Sequence, residues 1–434
     1  MRGMDQRGVA VAATAAGIAL LAAGCGSGES ADGTTTISFL VTSDEPAYSS
    51  AVAMAKAFED ENPDIKVDVE SRPGGTEGDN LLKTKLSTGE MNDVFYYNAG
   101  SLLLALNPDQ NLVDLSDQPW VEALTDTMKS VVSTENGLYG SPYESSQAGA
   151  VVYNKKIYAD LGLEAPTSWE QFAANNDAIT QAGKAAVIQT YGDTWTSQLF
   201  VLGDFGNVLA QEPDWATDYT ANKAHYGDQP AEQAFLNLQT AGESGWFNED
   251  FASATLDDGI RMVATGEGAH YPIVTGTLAT LQQNYPDEYE NVGVFPLPAQ
   301  DPADTRLTVW LPNSVYIPKT TEGAELDAAK KFVQFINSDT GCGVINDTMP
   351  PTGPYGTNTC ALPDDVPPLL TDMQQWFDEG KTEPALEFLS AIKGPSLENI
   401  TVEVGSGIRS GADGAALYDE DVKKQAQQLG LDGW

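Results

Sequence analysis

The sequence contains few of the residues and motifs that carry metal, nucleophilic or nucleotide chemistry. It has 434 residues but only two histidines, His225 and His270, which lie far apart, and it has no His-Glu-x-x-His motif. The Gly-x-Ser-x-Gly, Walker A, Gly-x-Gly-x-x-Gly and EF-hand patterns are absent as well. We therefore expect no metal site, no cofactor and no catalytic residue, and we predict that the protein is not an enzyme.

Basic residues are also scarce. Lysine and arginine number 22 against 63 aspartates and glutamates, which gives a formal net charge of −41. Such a surface repels phosphate backbones, so we expect no nucleic-acid binding. Solubility is the simplest reason for the acidity, and attraction of a cationic solute such as a quaternary ammonium compound is the alternative. Close pairs of carboxylates are inevitable among so many acids, so a secreted glycoside hydrolase stays open as a second alternative.

The N-terminal segment has the three features of an export signal, in their usual order along the chain. Arg2 and Arg7 precede an apolar run over residues 9–23, and small residues lead up to Cys25. A membrane-spanning helix needs about 20 apolar residues, which this run does not reach. The pattern is typical of a secretory signal peptide, and we predict one over residues 1–24.

The residues around Cys25 add a second feature to this segment. Leu-Ala-Ala-Gly-Cys, ending at Cys25, resembles the lipobox of bacterial lipoproteins, although Ala22 stands where that family prefers a large aliphatic residue. The resemblance implies that Cys25 is acylated, and the polar residues 26–33 would form a flexible tether. Cys342 and Cys360 then remain, and an oxidising compartment favours a disulfide between them over two free thiols.

The mature chain is long enough for two lobes. Apolar and alternating stretches at residues 35–41, 65–70 and 93–97 are separated by helical patterns, which is the β-α-β-α-β order of a mostly parallel sheet flanked by helices. No internal repeat is present, which disfavours a repetitive adhesive protein. The sequence therefore predicts an α/β fold.

Three stretches are similar to the extracellular solute-binding proteins of bacterial ABC importers, in the sugar-binding branch. They cover residues 55–70, 137–172 and 292–336. The resemblance implies a two-lobed, periplasmic-binding-protein-like α/β fold whose chain crosses between lobes near residues 145–149, 294–298 and 346–354. Lobe one would comprise residues 34–145 and 298–345, and lobe two residues 149–294 and 354–434.

The same resemblance implies the function. The protein would be an extracytoplasmic, lipid-anchored monomer that captures a sugar or oligosaccharide in the cleft between its lobes. It would then deliver this solute to a membrane permease.

Candidate contacts follow from the ends of the predicted strands, where loops converge in open α/β sheets. Sugar hydroxyls pair with carboxylates and amides, while sugar rings stack on aromatic faces. From lobe one and the first crossing we select Asp44, Glu45, Tyr97, Asn98, Ser101, Glu144 and Gln147. The resemblance adds Tyr191, Asp193, Trp195, Tyr271, Trp310 and Asn313.

The aromatic residues and the first two acids also have a structural alternative. The aromatic side chains could belong to the core, and Asp44 and Glu45 could cap the following helix. Gly100-Ser101 stands where some oligosaccharide-binding relatives have an Asp-Arg pair, which disfavours a maltose-like specificity.

Overall fold

The computed structural model describes residues 34–44, 46–364, 366–431 and 433–434. The predicted signal peptide, the tether, Cys25 and Glu45 lie outside the described residues. None of the helices within the described ranges is both long and apolar enough to span a membrane.

Short strands make up two main sheets and a small hairpin. They are β1 (Thr35–Thr42), β2 (Ile65–Arg72), β3 (Val94–Tyr97), β4 (Ser133–Thr134), β5 (Gly137–Leu138), β6 (Gly140–Pro142), β7 (Gln147–Asn154), β8 (Ala185–Val187), β9 (Gly268–Val274), β10 (Val292–Phe295), β11 (Leu307–Trp310), β12 (Ser314–Tyr316) and β13 (Thr382–Pro384).

Helices flank both sheets. They are α1 (Ala47–Glu61), α2 (Gly75–Thr88), α3 (Ser101–Leu104), α4 (Pro108–Asn111), α5 (Asp126–Val132), α6 (Lys155–Leu161), α7 (Trp169–Gln181), α8 (Leu199–Leu202), α9 (Phe205–Gln211), α10 (Trp215–Thr220), α11 (Glu232–Glu243), α12 (Leu256–Thr265), α13 (Leu278–Asn284), α14 (Gly323–Ile336), α15 (Asp339–Thr348), α16 (Pro368–Asp378), α17 (Leu386–Leu389), α18 (Leu397–Gly405) and α19 (Gly411–Leu429).

Lobe one is built on a five-stranded sheet in the order β2-β1-β3-β12-β6. β1 pairs in parallel with β2 and β3, so the carboxyl ends of these three strands lie at one edge. The sheet packs through Phe39 onto α14, where the ring centroids of Phe39 and Phe332 are 5.4 Å apart, and Phe58 of α1 packs on Phe332 at 5.1 Å. The apolar side chains of the first strand and first helix therefore form a common core.

Lobe two is built on a second sheet, in the order β13-β11-β7-β9-β8, with β10 also paired to β7. β7 is antiparallel to β9, to β10 and to β11. Its helical side contains a buried aromatic cluster in which Trp215 stacks on Tyr219 at 4.9 Å and Tyr226 packs on Tyr418 at 4.9 Å. Two sheets with flanking helices confirm the predicted α/β fold.

Within the described residues, the chain crosses between the lobes at three places, and two of these differ from the prediction. The first connection, between β6 and β7, covers residues 143–146. The second was predicted at residues 294–298, but β11 still pairs with β7 and β13, so the chain stays in lobe two as far as Trp310 and crosses at residues 311–313. The prolines at 296 and 298 mark a break between two strands of one sheet, which a sequence pattern cannot distinguish from a crossing.

The third connection lies later than predicted. It was expected at residues 346–354, but Gly356 and Asn358 still form backbone hydrogen bonds with Thr125 and Ala123 of lobe one, at 3.1 and 2.7 Å. The chain joins lobe two with α16, which packs against β10 and whose Asp372 pairs with Lys155 at 3.0 Å.

A disulfide fastens this third connection to lobe one. It joins Cys342 of α15 to Cys360, with the Cα atoms 5.3 Å apart, and so confirms the predicted pairing. The connection is thus held to lobe one covalently as well as by hydrogen bonds, up to a point only a few residues before α16.

Candidate ligand-binding cleft

A cavity of about 910 Å³ lies between the two lobes, within the range that small-molecule sites usually occupy. Lobe one contributes Thr42, Asp44, Arg72, Asp79, Tyr96, Tyr97 and Asn98. The connections contribute Glu144, Ser145, Asn313 and Thr352, and lobe two contributes Gln147, Gly276, Ala279, Gln282 and Gln283.

A second cavity of about 970 Å³ lies between α5 and α16, beside Cys360. Its lining includes Glu122, Asp126 and Asp378 and a single lysine, Lys129. We take the first cavity as the candidate site because it collects the carboxyl ends of three neighbouring strands, where ligands bind in open α/β sheets.

The ends of β1 and β2 position the acidic part of the lobe-one wall. Thr42 lies opposite Arg72 in the parallel register, and Asp44 follows two residues later. The Thr42 hydroxyl donates to Oδ2 of Asp44 at 2.6 Å, which orients the carboxylate. Gly74 packs so closely on this carboxylate that a Cβ atom there would collide with it. A glycine is therefore needed for the observed position of Asp44.

A hydrogen-bonded cluster joins both of the first two connections to the end of β3. Oε1 of Glu144 accepts from the Tyr96 hydroxyl at 3.0 Å and from the Asn313 backbone N–H at 3.1 Å. Nδ2 of Asn313 donates to the Tyr96 oxygen at 2.7 Å. Burial raises the pKa of Glu144, and these hydrogen bonds oppose part of the rise. The cluster fixes one carboxylate at the junction of the lobes.

A buried cation lies in the same wall. Arg72 is 5% exposed, and its guanidinium lies 5.8 Å from the centroid of the Tyr97 ring. Its Nη1 donates to the Pro73 carbonyl at 3.1 Å, while Nε is buried without a hydrogen-bond partner among the described residues. Burial, followed by the charge of Asp79, raises the pKa of Tyr97 to about 12.

The lobe-two wall consists of α13 and the turn before it. Gly276 in this turn lies against the Gln147 side chain, since a Cβ atom there would overlap its amide. The Ala148 backbone N–H donates to Thr275 Oγ1 at 3.0 Å, which ties the turn to β7. The amides of Gln282 and Gln283 add donors and acceptors from α13. No group of His, Cys, Asp and Glu side chains in the described part of the chain could hold a metal ion.

Six of the predicted contact residues line this cleft: Asp44, Tyr97, Asn98, Glu144, Gln147 and Asn313. Their contact with a ligand stays a prediction. For Tyr97 the expected ring stacking does not fit the geometry, because the side chain is fully buried and Arg72 lies over its ring.

The predicted contacts from lobe two lie outside the cleft. Tyr271 is 1% exposed and its hydroxyl is 2.8 Å from that of Thr190. Tyr191 is buried against Phe251, and Oδ2 of Asp193 accepts from the Leu256 N–H at 2.7 Å, at the start of α12. In the described structure these residues form core and helix-end contacts, because β9 is covered by α12 and buried along most of its length.

Three more predicted residues also lie elsewhere. Trp195 packs against the apolar core, and the Trp310 ring covers Gly149 beside a small separate cavity. Ser101 Oγ donates to the Glu387 carbonyl at 2.5 Å, so it joins lobe one to lobe two.

The sequence interpretation missed several cleft residues. Arg72 could have been found, because it stands at the end of the second strand and the strand-end rule was applied only to the first and third. Tyr96 precedes a residue that was selected. Gln282 and Gln283 lie on a seven-residue helix with no distinguishing pattern, so no sequence signal pointed to them.

Comparison with known proteins agrees with this architecture. Residues 42–341 match the family model described as bacterial extracellular solute-binding protein. The chain belongs to this family. The family match covers both lobe-one segments of the cleft wall and α13 of lobe two.

Individual relatives are distant. The chain is 21% identical over 289 residues to the multiple sugar-binding protein of Streptococcus mutans, which covers 65% of this chain and 66% of the relative. It is 22% identical over 292 residues to the melibiose/raffinose/stachyose-binding protein MelE of Bacillus subtilis, covering 65% of each. The aligned part thus spans less than two thirds of these curated relatives.

The solved structures support the fold over a longer stretch. The binding protein MsmE of Bacillus subtilis superposes with a TM-score of 0.76 at 17% identity, over 92% of this chain and 100% of that one. The two-lobed solute-binding fold inferred from the sequence is therefore confirmed.

Proposed function

We propose that this protein is the substrate-binding component of an ABC importer and that it captures a sugar or oligosaccharide in the cleft between its lobes. The observation that carries the proposal is the composition of the cleft. Carboxylates from Asp44, Asp79 and Glu144 and amides from both lobes converge on a volume of about 910 Å³. Such groups satisfy the hydroxyls of a sugar through hydrogen bonds.

The relatives support a sugar as the solute. Two of them are named for binding sugars, and one name specifies melibiose, raffinose and stachyose. The family to which the chain belongs is one of binding proteins, which favours non-covalent capture over glycoside hydrolysis.

The geometry disfavours a cationic solute. Arg72 lines the cleft and forms no ion pair with a described residue, so it would repel an ammonium group. The Tyr97 ring that could have joined an aromatic cage is already covered by this guanidinium. Arg72 and the covered Tyr97 ring therefore argue against a quaternary ammonium ligand, although Asp44 and Asp79 in the same wall would attract a cation.

The proposed setting follows from the N-terminal sequence and the family. A signal peptide and an acylated Cys25 would place a monomer at the outer face of the cell membrane, where a permease receives the solute. Replacing Cys25 with alanine should release the protein from the membrane fraction or leave the precursor uncut. Unchanged membrane attachment with normal processing would refute the lipid anchor.

A thermal-unfolding screen of the purified full chain tests the solute class. Melibiose, raffinose and stachyose form the sugar panel, and choline represents cationic solutes. A ligand that binds only the folded state stabilises it by about 2.7 kcal/mol at a hundredfold excess over Kd. We expect at least one sugar to raise the unfolding midpoint; a rise with choline alone would overturn the proposal.

A further inference from the structure

Arg72 has more donor capacity than the described structure uses. A guanidinium has five N–H donors, but the hydrogen bond to the Pro73 carbonyl is the one that the Arg72 guanidinium makes with a described residue. Nε is buried without a partner, and no described carboxylate lies within ion-pair distance. Burying a charge without a partner is costly, so an acceptor brought by a ligand would be strongly favoured.

The Arg72 side chain lies in the wall of the cleft, so a ligand bound in the cleft would supply this hydrogen-bond acceptor. Arg72 ends β2 and lines the cavity, and its backbone carbonyl accepts from the Ser43 N–H at 2.8 Å, just before Asp44. Tyr97 supports the guanidinium from one side. Gly78 leaves room for it, since a Cβ atom there would lie 2.5 Å from Nη1. The cation is thus held in the same cleft wall as Asp44, on the strand that pairs with the strand leading to Asp44.

We propose that Arg72 and Asp44 form one ligand subsite that binds two adjacent hydroxyl groups of a neutral sugar. One hydroxyl donates to the Asp44 carboxylate, and its neighbour accepts from the Arg72 guanidinium. The Thr42 hydroxyl, which donates to Asp44 at 2.6 Å, holds the acceptor in place. This inference rests on the proposed function and specifies the chemical class of the solute.

The charges around the subsite favour a neutral solute. Arg72 opposes a cation, and Asp44 together with Asp79 in the same wall opposes an anion. A vicinal diol carries a donor and an acceptor side by side without a charge, which matches a carboxylate beside a guanidinium.

Titration calorimetry of the full chain with raffinose, a neutral trisaccharide, tests the subsite. Arg72→Gln removes the charge and the planar fork, and we expect it to weaken binding at least tenfold. Arg72→Lys keeps the charge but lacks the planar guanidinium, so its raffinose affinity should lie between those of the wild type and Arg72→Gln. Arg409→Gln is the control, because Arg409 pairs with Glu403 outside the cleft, and it should bind like the wild type. Trigalacturonate serves as the anionic probe and should bind more weakly than raffinose.

Thermal unfolding separates a ligand contact from a structural role. Since Arg72 makes no ion pair with a described residue, Arg72→Gln should lower the unfolding midpoint by no more than the small loss of packing on Tyr97, while raffinose affinity falls at least tenfold. Raffinose affinity within twofold of the wild type, or a midpoint that falls by more than this along with affinity, would overturn the subsite while the proposed function stands. A preference for trigalacturonate would overturn the neutral class. A wild-type protein that binds neither raffinose nor trigalacturonate, and whose unfolding midpoint is raised by no sugar of the panel, would overturn the proposed function and the subsite together.

Discussion

Close contacts at single glycines decide where two of the polar groups of the cleft lie. Gly74 permits the observed position of the Asp44 carboxylate, and Gly276 permits that of the Gln147 amide. Both contacts involve the far ends of side chains that can move. A small substitution would therefore displace a polar group without damaging the core.

Gly74→Ala should weaken raffinose binding while leaving stability nearly unchanged. The added Cβ displaces Asp44, and loss of a hydrogen bond to a charged group is worth about 1.5–3 kcal/mol. Gly343→Ala is a matched control, because a Cβ atom there meets nothing within 4 Å. Calorimetry on both variants checks the effect, and equal affinities for the two would contradict the role given to Asp44.

The burial of Asp204 should make the free energy of unfolding depend on pH. It lies outside the cleft, accepts a hydrogen bond from Asn207 at 2.7 Å, and burial raises its pKa to about 7. A carboxyl group whose folded pKa is raised stabilises the fold below its unfolded pKa of about 3.9 and loses that contribution as pH rises toward 7. Relative to Asp204→Asn, the wild type should lose about 3 kcal/mol of unfolding free energy between pH 4.5 and 7.5. Chemical denaturation at both pH values measures this difference, and a constant or growing wild-type advantage would contradict it.

The predictions from sequence succeeded for elements with clear patterns. The alternation over residues 65–70 and the apolar run over residues 35–41 became β2 and β1, and the strand-end rule led to Asp44, Tyr97 and Asn98 at the cleft. The predicted boundary of lobe one near residue 298 was wrong, because the pairing of β11 with β7 is a long-range contact that local sequence does not specify. Tyr271 was misplaced for a related reason, since a tyrosine in a strand buried on both faces has no pattern that separates core from site.

The Cys342–Cys360 disulfide links α15 to the third connection, and its contribution to stability can be tested by removing it. The double substitution Cys342→Ser and Cys360→Ser should lower the unfolding free energy by about 3 kcal/mol, because the bond closes a short loop between α15 and the third connection. Reduced wild-type protein should match the double variant in chemical denaturation. A variant as stable as the oxidised wild type would contradict the structural role of the bond.

At the scale of the whole molecule, the two lobes each supply one wall of the cleft. The cleft wall of lobe one contains charged residues at strand ends, whereas that of lobe two contains amides and small residues of α13 and the turn before it. A solute that contacts both walls gains affinity only when the lobes are close together, so binding must favour closure. Sequence alone could supply the two-lobed frame through the family resemblance, but not which helix forms the second wall.

Filling the cleft from lobe two tests the central claim most directly. Ala279 is an exposed residue of α13 at the cavity, and Ala412 is an exposed residue of α19 that is not part of the cavity lining. Ala279→Trp and Ala412→Trp should unfold at similar temperatures, since neither changes the core. Titration calorimetry with raffinose should find binding lost in Ala279→Trp and retained in Ala412→Trp. Wild-type affinity in Ala279→Trp would contradict the assignment of this cleft as the sugar-binding site.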